Sequence, residues 1–327
     1  MNDKIRIGIV GFGNLGKGAE AAVAGQPDMD VVAIVSRRPA SVRPADSATA
    51  VVALDDVATL AGAVDVMICC GGSKDDLPEQ VPMLAAQFNV VDSFDTHAKI
   101  PAYFESVDRP AAANQKTAII ATGWDPGLFS LSRLLGEAIL PAGDTYTFWG
   151  RGLSQGHSDA VRRVSGVAGA VQYTIPSAQA VERALSGERP QLTTRERHTR
   201  QCYVVLADGA DPDTVRQAII TMPDYFADYD TTVTFIDAQT LAAEHAAMPH
   251  GGVVIRSATT ADGHNHSMQF NLALDHNPSF TASVLVAYGR AAQRMNRAGQ
   301  YGAKTLFDVA PGLLSPRTAA ELRADLL

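Results

Sequence analysis

The chain of 327 residues has only three cysteines, Cys69, Cys70 and Cys202. Two are adjacent in an apolar run, so no disulfide framework can be drawn and a reducing compartment is expected. Positive charge is not in excess. The formal net charge is −8, which argues against nucleic acid or an anionic membrane as a partner. No apolar run approaches the roughly 18 residues of a spanning helix, and no apolar signal segment precedes the strand-like Ile5–Val10. There is no internal repeat and no low-complexity linker. His157, His245, His250, His264, His266 and His276 fall into no zinc-ligand spacing, and Glu244-His245 lacks the H-E-x-x-H pattern, so no metal is expected. What remains is an ordinary globular composition, 46% hydrophobic and 19% charged, read as soluble and cytoplasmic and long enough for two lobes.

The first 121 residues alternate short β-branched runs with helical stretches. Ile5–Val10, Val31–Val35, a weak run near Val51-Val52, Val64–Cys70, Val90-Val91 and Thr117–Ala121 read as strands. Asn14–Ala24, Leu77–Phe88 and Ala102–Gln115, the last with a break at Pro110, read as helices. This rhythm predicts a parallel sheet covered on both faces, an α/β fold. After residue 122 the runs lengthen and alternate. Thr145–Trp149, His198–Leu206, Thr231–Asp237, Gly252–Thr259 and Ser267–Leu274 predict antiparallel strands, with helices at Thr214–Thr221 and Phe280–Arg297. The expected organisation is a Rossmann-like dinucleotide-binding lobe, residues 1–121, and an α+β substrate lobe, 122–297. A tail of about 298–327 could return to the first lobe.

Gly11-Phe12-Gly13-Asn14-Leu15-Gly16 matches G-x-G-x-x-G between a predicted strand and a predicted helix, the context the pattern requires. The first glycine makes the tight turn, the second admits a pyrophosphate, and the third lets helix pack on strand. The helix N-terminus adds free N–H groups and partial positive charge. About 20 residues further on, an NAD-binding chain places an acid for the ribose 2′-OH. Here Ser36 stands there, followed by Arg37 and Arg38. Guanidinium groups pair with a 2′-phosphate that a carboxylate would repel, so the position predicts NADP. The alternative is that both arginines are solvated surface charge.

Ligands of open α/β sheets sit beyond the carboxyl ends of the strands. Three loops fall there: Gly71-Gly72-Ser73, Ser93-Phe94-Asp95 and Thr122-Gly123-Trp124-Asp125-Pro126. Asp95 and Asp125 could hold a substrate ammonium and take its proton, or could equally be helix-cap or turn aspartates. Cys69 and Cys70 read as buried strand residues rather than thioester nucleophiles, since no activating base lies beside them. In the second half, "FWGRGLSQGHSDAVRR" (Phe148–Arg163) predicts a loop leading into a helix that lines a polar pocket. Arg200, His250 and Asn277 sit at loop-like positions.

Taken in order, "GFGNLG", "SRRP", "TGWDPG", "TFWGRGLSQGHSDAVRR", "RQC", "TMPDYF", "MPHGG" and "NPSFTAS" resemble the meso-diaminopimelate D-dehydrogenase family along nearly the whole chain. The resemblance implies reversible, NADP-dependent oxidative deamination of the D-centre of meso-2,6-diaminopimelate. The products are L-2-amino-6-oxopimelate and ammonia, on a route to lysine and peptidoglycan precursors, and the assembly implied is a homodimer. It implies that Phe12, Gly13, Asn14 and Leu15 cradle the pyrophosphate and that Ser36, Arg37 and Arg38 hold the 2′-phosphate. Gly71, Gly72, Ser73, Lys74, Ser93, Phe94 and Thr122 to Pro126 would line the cofactor. Asp95 and Asp125 would bind the amino group at the D-centre. Trp149, Ser154, Gln155 and Gly156 would shape the middle of the substrate site. Thr174, Arg200, His250 and Asn277 would hold a carboxylate or the distal L-centre. The proton acceptor is left open among Asp95, Asp125 and an ordered water. The chain departs from the family at Phe94 and Thr96, where Tyr and Asn are expected, and at Gly71, Lys74 and Arg151. Rival readings are a dihydrodipicolinate reductase, an aspartate-semialdehyde dehydrogenase, and an NADP-binding redox sensor without turnover.

Overall fold

A computed structural model describes residues 4–327. The chain divides into two compact units, Met1–Leu131 with Pro278–Leu327, and Ser132–Asn277. The boundaries expected at 121/122 and 297/298 therefore fall elsewhere.

The first unit begins with β1 (Ile5–Val10), α1 (Asn14–Ala24), β2 (Met29–Ser36), β3 (Ala50–Ala53), β4 (Val66–Cys69), α2 (Asp76–Ala85), β5 (Asn89–Asp92), α3 (Ile100–Ala113) and β6 (Thr117–Ile119). Every pairing among these strands is parallel. Their apolar runs are buried on both faces: Ile7, Ile9, Ile34, Val66, Ile68 and Val91 share one core, and Ala33, Val35, Met67 and Val90 share another on the opposite face, as a helix-covered parallel sheet requires. The break expected at Pro110 is absent, because α3 runs unbroken through it. Pro110 lies in the last turn, so its missing N–H forfeits one bond near the helix end. Tyr103, Val107 and Ala111, spaced by four, bury one face of α3 and hold the helix across that point.

Helix α4 (Leu128–Ile139) was not predicted. The second unit continues through β7 (Gly143–Trp149), β8 (Gly152–Leu153), α5 (Gln155–Arg162), β9 (Val167–Pro176), α6 (Ala178–Leu185), α7 (Thr194–Arg197), β10 (His198–Leu206), α8 (Pro212–Ile220), β11 (Asp230–Phe235), α9 (Ala238–Glu244), β12 (His250–Thr259) and β13 (Asn265–Leu274). One sheet has the order β13-β12-β7 and is antiparallel. The other has the order β11-β10-β9-β8. Its β10–β11 pair is parallel, not antiparallel as expected. The reason is the crossover: α8 carries the chain back between the two strands, and its Val215 and Ile219 pack with Val204 of β10 and Val233 of β11.

The chain then enters α10 (Asn277–Arg297) and β14 (Gly302–Lys304). β14 pairs in parallel with β6, completing a seven-stranded sheet of order β14-β6-β5-β4-β1-β2-β3. Ala282, Leu285, Val286 and Ala292 of α10 share a core with Ile7, Ile9 and Ile68. That shared core is why the helix expected in the substrate lobe belongs to the first unit instead. Arg290, whose side chain is 2% exposed, pairs with Asp28 at 2.7 Å. It also donates to Gln26 Oε1 and to the carbonyl of Leu314, each at 2.7 Å, so one guanidinium ties the end of β2's lead-in loop to α10 and the tail.

Hydrogen bonding from Arg290, opposed in part by burial, lowers the Asp28 carboxyl below its ordinary value of 3.8. The ion pair thus stabilises the fold above that value and loses its effect as pH falls through the lowered one. Asp28→Ala would leave a buried guanidinium without its counter-charge, and should cost about 3 kcal/mol. Chemical denaturation at pH 7 and at pH 3 checks this, with a smaller difference from wild type expected at pH 3.

Candidate functional site

In the first unit, β1 runs into Gly11, which has φ +89°, a backbone conformation that favours glycine. A Cβ on Gly16 would lie 2.1 Å from the Gly11 carbonyl oxygen, so only glycine lets α1 start this close to the strand. Gly13 caps α1, and a Cβ there would meet nothing within 4 Å. The protein itself does not need glycine at 13; the open space above it suits a ligand approaching the backbone. No acidic residue stands in the first turn of α1, which leaves the positive end of the helix dipole for an anion.

These residues border a cleft of about 470 Å³. Gly11, Phe12 and Gly13 form one wall, Ser36, Arg37 and Arg38 another, and Gly71 and Gly72 a third. The Ser36 hydroxyl accepts from the Arg38 N–H at 3.1 Å. Arg37 pairs with Asp76 at 3.0 Å, and Asp76 also accepts from the Gly72 N–H at 3.0 Å. The donor set of glycine-loop N–H groups, a helix N-terminus and guanidinium groups fits a dinucleotide with an added phosphate. Lys17, Arg43 and Asp76 also line the cleft and were missed. Lys17 had a signal, lying one residue past the glycine pattern. Arg43 is brought in by the 3-10 turn Pro39–Ser41 and had none.

Other expected contacts sort differently. Leu15 packs against the core of the first unit, so its side chain is not a ligand wall and only its backbone could serve; Gly16 is a packing residue. Asn14 opens α1 and does not border the cleft, nor do Ser73 and Lys74. The Phe94 ring is buried and stacked on Tyr103 at 4.1 Å, which leaves its backbone. Cys70 borders the cleft, yet burial pushes its thiol up to about 12. Cys69 is fully buried and raised well above its ordinary value. Neither forms a thiolate near neutrality.

Beyond the carboxyl ends of β5 and β6, the buried Asp92 joins two loops. One carboxylate oxygen accepts from the N–H of Phe94 at 2.9 Å and of Ala121 at 3.0 Å. The other accepts from the Tyr103 hydroxyl at 2.7 Å, and the Asp92 carbonyl accepts from the Thr122 N–H at 2.8 Å. The loops so joined carry Ser93-Phe94-Asp95 and Thr122-Gly123-Trp124-Asp125-Pro126. Asp95 is exposed and Asp125 half-buried, while Thr122, Gly123, Trp124 and Pro126 are buried. The N–H of Asp95 donates to Ser73 Oγ at 3.0 Å.

In the second unit, strand register aligns a row across one sheet. Gly152 of β8 faces Thr174 of β9, Thr174 faces Arg200 of β10, and Arg200 faces Thr231 of β11. A Cβ on Gly152 would lie 2.4 Å from the His250 ring, so glycine there makes room for His250. Arg200 is buried, donates to Thr174 Oγ1, and lies over the Tyr229 ring at 3.9 Å from its centroid. No carboxylate pairs with Arg200 among the described residues, and its Nε, with Gln172 Oε1 and Thr231 Oγ1, has no hydrogen-bond partner. Buried polar atoms without partners are costly; a guanidinium so placed suits a ligand carboxylate. Ser154 caps α5, and its hydroxyl lies 2.8 Å from His157 Nδ1. Desolvation, then the charge of Arg200, lowers His157 to about 4. Desolvation, with Arg200 and Arg197, does the same to His198. His198 is therefore neutral at pH 7, and its Nε2 accepts from the Trp149 N–H at 2.9 Å while the rings stack at 5.5 Å. Gly156 is exposed on α5, Asn277 opens α10, and the Gln155 side chain lies outside the described residues. Among the described residues, no group of three or more His, Cys, Asp and Glu could hold a metal ion.

The parallel sheet, the glycine turn and the guanidinium-lined cleft define a Rossmann-type lobe whose donor set suits a dinucleotide. A relative from Ureibacillus thermosphaericus, named meso-diaminopimelate D-dehydrogenase, is 56% identical over 324 residues, covering 99% of each chain. The chain belongs to the meso-diaminopimelate D-dehydrogenase family. Residues 123–276 match the family model described as the diaminopimelic acid dehydrogenase C-terminal domain. The crystal structure of a six-site mutant of meso-dapdh from Clostridium tetani E88, with DAP, superposes with a TM-score of 0.94 at 51% identity, covering 99% of this chain and 100% of that one. An engineered D-amino acid dehydrogenase bound to NADP+ superposes with a TM-score of 0.86 at 47% identity, over 99% and 100% of the two chains.

Desolvation, offset in part by its three hydrogen bonds, raises the Asp92 carboxyl from 3.8 to about 6. The native state then holds this proton more tightly than the unfolded chain, so the contribution of Asp92 to stability is greatest below pH 4 and fades as pH rises through 6. A carboxyl ¹³C titration should show its midpoint near 6. Asp92→Ala leaves three buried donors unpaired and should cost roughly 3 kcal/mol, read as a lowered midpoint in thermal unfolding.

Proposed function

We propose that this chain catalyses the NADP-dependent, reversible oxidative deamination of the D-centre of meso-2,6-diaminopimelate. One substrate, one NADP+ and one water give L-2-amino-6-oxopimelate, ammonium, NADPH and a proton. The observation that carries the reading is the first-unit cleft, where a glycine turn open at Gly13 meets Ser36, Arg37 and Arg38 at the position that discriminates the two dinucleotides.

The nicotinamide, when bound, supplies the acceptor for the hydride from the D-carbon. The chain's own groups bind and orient. Phe12, Gly13, Asn14 and Leu15 would offer backbone N–H groups to the pyrophosphate, and Arg37 and Arg38 paired charged hydrogen bonds to the 2′-phosphate. Asp95 and Asp125 are assigned the substrate ammonium. One of them, or a water between them, takes the proton that frees the amine, since only a neutral amine can form an imine. Arg200 is assigned a substrate carboxylate: the contact would give its buried Nε the partner it lacks and supply the counter-charge. Thr174, His250 and Asn277 share that end, with Trp149, Ser154, Gln155 and Gly156 shaping the rest. Holding both ends of a long substrate selects which Cα–H meets the cofactor.

A homodimer is the assembly we propose. Leu134, Leu135 and Ile139 on α4 and Phe270 on β13 are exposed, and β13 is an edge strand, the kind of surface a partner covers. The compartment proposed is the cytoplasm, supported by three free thiols; no helix among the described residues is long and apolar enough to cross a membrane. The metabolic place proposed is lysine and peptidoglycan precursor synthesis.

The test is absorbance at 340 nm with NADP+ and meso-diaminopimelate at alkaline pH, beside the LL isomer and beside NAD+. Turnover with the meso isomer and NADP+ alone is expected. Silence with the meso isomer, despite NADP+ binding, would remove the substrate assignment. Gly13→Ala offers a second check. It should leave thermal stability within about 0.5 kcal/mol of wild type, because the new methyl meets no protein atom, while NADP+ affinity drops about tenfold.

A further inference from the structure

We infer that Asp76 is a positioning residue for selection of the 2′-phosphate, an inference that rests on the NADP reading above. Asp76 is the first residue of α2, and its carboxylate is split between two duties within the first unit. Oδ1 holds Arg37 Nη2 at 3.0 Å. Oδ2 accepts from the Gly72 N–H at 3.0 Å. Its surroundings leave it little freedom: a Cβ on Gly71 would lie 2.6 Å from Asp76 Cβ, so glycine at 71 is what lets the acid reach this place.

The side chains differ in exposure, Arg37 at 69% and Asp76 at 20%. An arginine that exposed would otherwise sample many rotamers. The better-buried acid, itself held by the loop N–H, fixes one edge of the guanidinium at the cleft wall. Arg37 carries five N–H donors, so the edge spent on Asp76 leaves others for phosphate oxygens. A second link runs from the same loop. Ser73, next to Gly72, accepts from the Asp95 N–H at 3.0 Å. The group that reads the 2′-phosphate is thereby joined by Asp76 and residues 72–73 to the loop bearing Asp95. An acid at the cleft wall could be taken for the ribose-binding acid of an NAD enzyme. It stands on α2, far along the chain from the end of β2 where that acid belongs, and it faces a guanidinium.

Dissociation constants of NADPH and NADH, measured by quenching of protein fluorescence, test the role apart from turnover. Asp76→Ala should weaken NADPH about fivefold, as expected of an ion pair at a partly exposed site, and change NADH by less than twofold. Arg37→Ala should weaken NADPH about tenfold or more. The double variant should bind NADPH no more weakly than Arg37→Ala alone, because the acid acts through that arginine. Asp76→Asn keeps an oxygen for the Gly72 N–H but loses the charge. It should match Asp76→Ala in NADPH affinity while holding wild-type thermal stability. Equal weakening of both dinucleotides, tighter NADPH binding by Asp76→Ala, or full additivity in the double variant would each overturn the role. A wild-type protein that binds both dinucleotides alike would instead overturn the NADP reading itself.

Discussion

The closest backbone approach at the cleft is between the turn after β1 and the first turn of α1. With a Cβ at Gly16 only 2.1 Å from the Gly11 carbonyl, helix and strand can meet this tightly only because no side chain intervenes. From that approach the rest follows. The helix N-terminus is aimed past Gly13, the end of β2 stands beside it with Ser36 and Arg37, and β4 brings Gly71 and Gly72 to the opposite wall. The cleft is therefore a property of strand order. β1 lies between β2 and β4, and the carboxyl ends of these three neighbours supply its walls.

Much of this was legible in the residues. β1 and α1 have the predicted limits, because a β-branched run ending in glycine and an alanine-rich helix carry strong local signals. His198–Leu206 likewise reads clearly by alternation. The parallel β10–β11 pair was not legible, since periodicity gives strand identity and says nothing of direction; only the α8 crossover decides it. Strand β9 hides behind glycine, alanine and a terminal proline in "VAGAVQYTIP", and Pro110 misled because tertiary packing overrides a helix breaker near a helix end. At the site, the glycine loop and the two arginines were readable from spacing. Asp76, Arg43 and Thr231, the last of the cross-strand row, were not, because they join the others only through tertiary register.

The second unit shows how a buried cation shapes its surroundings. Arg200 has an aromatic face beneath it and a hydroxyl beside it, but no anion among the described residues. Desolvation, reinforced by the charge of Arg200, keeps His157 and His198 neutral. Neutral rings act as acceptors, and His198 uses that capacity on the Trp149 backbone. Around Arg200 the positive charge therefore stays on the guanidinium rather than being shared with the two imidazoles.

The first unit is assembled from both ends of the chain. Its edge strand β14 and the core helix α10 come after all of the second unit, whose residues are contiguous. During synthesis from the N-terminus the middle unit is complete in sequence while the glycine turn still waits for α10 to cover β1 and β4. A chain ending before residue 277 would lack the covering helix, and the apolar face that Ile7, Ile9 and Ile68 present to α10 would stay open to water.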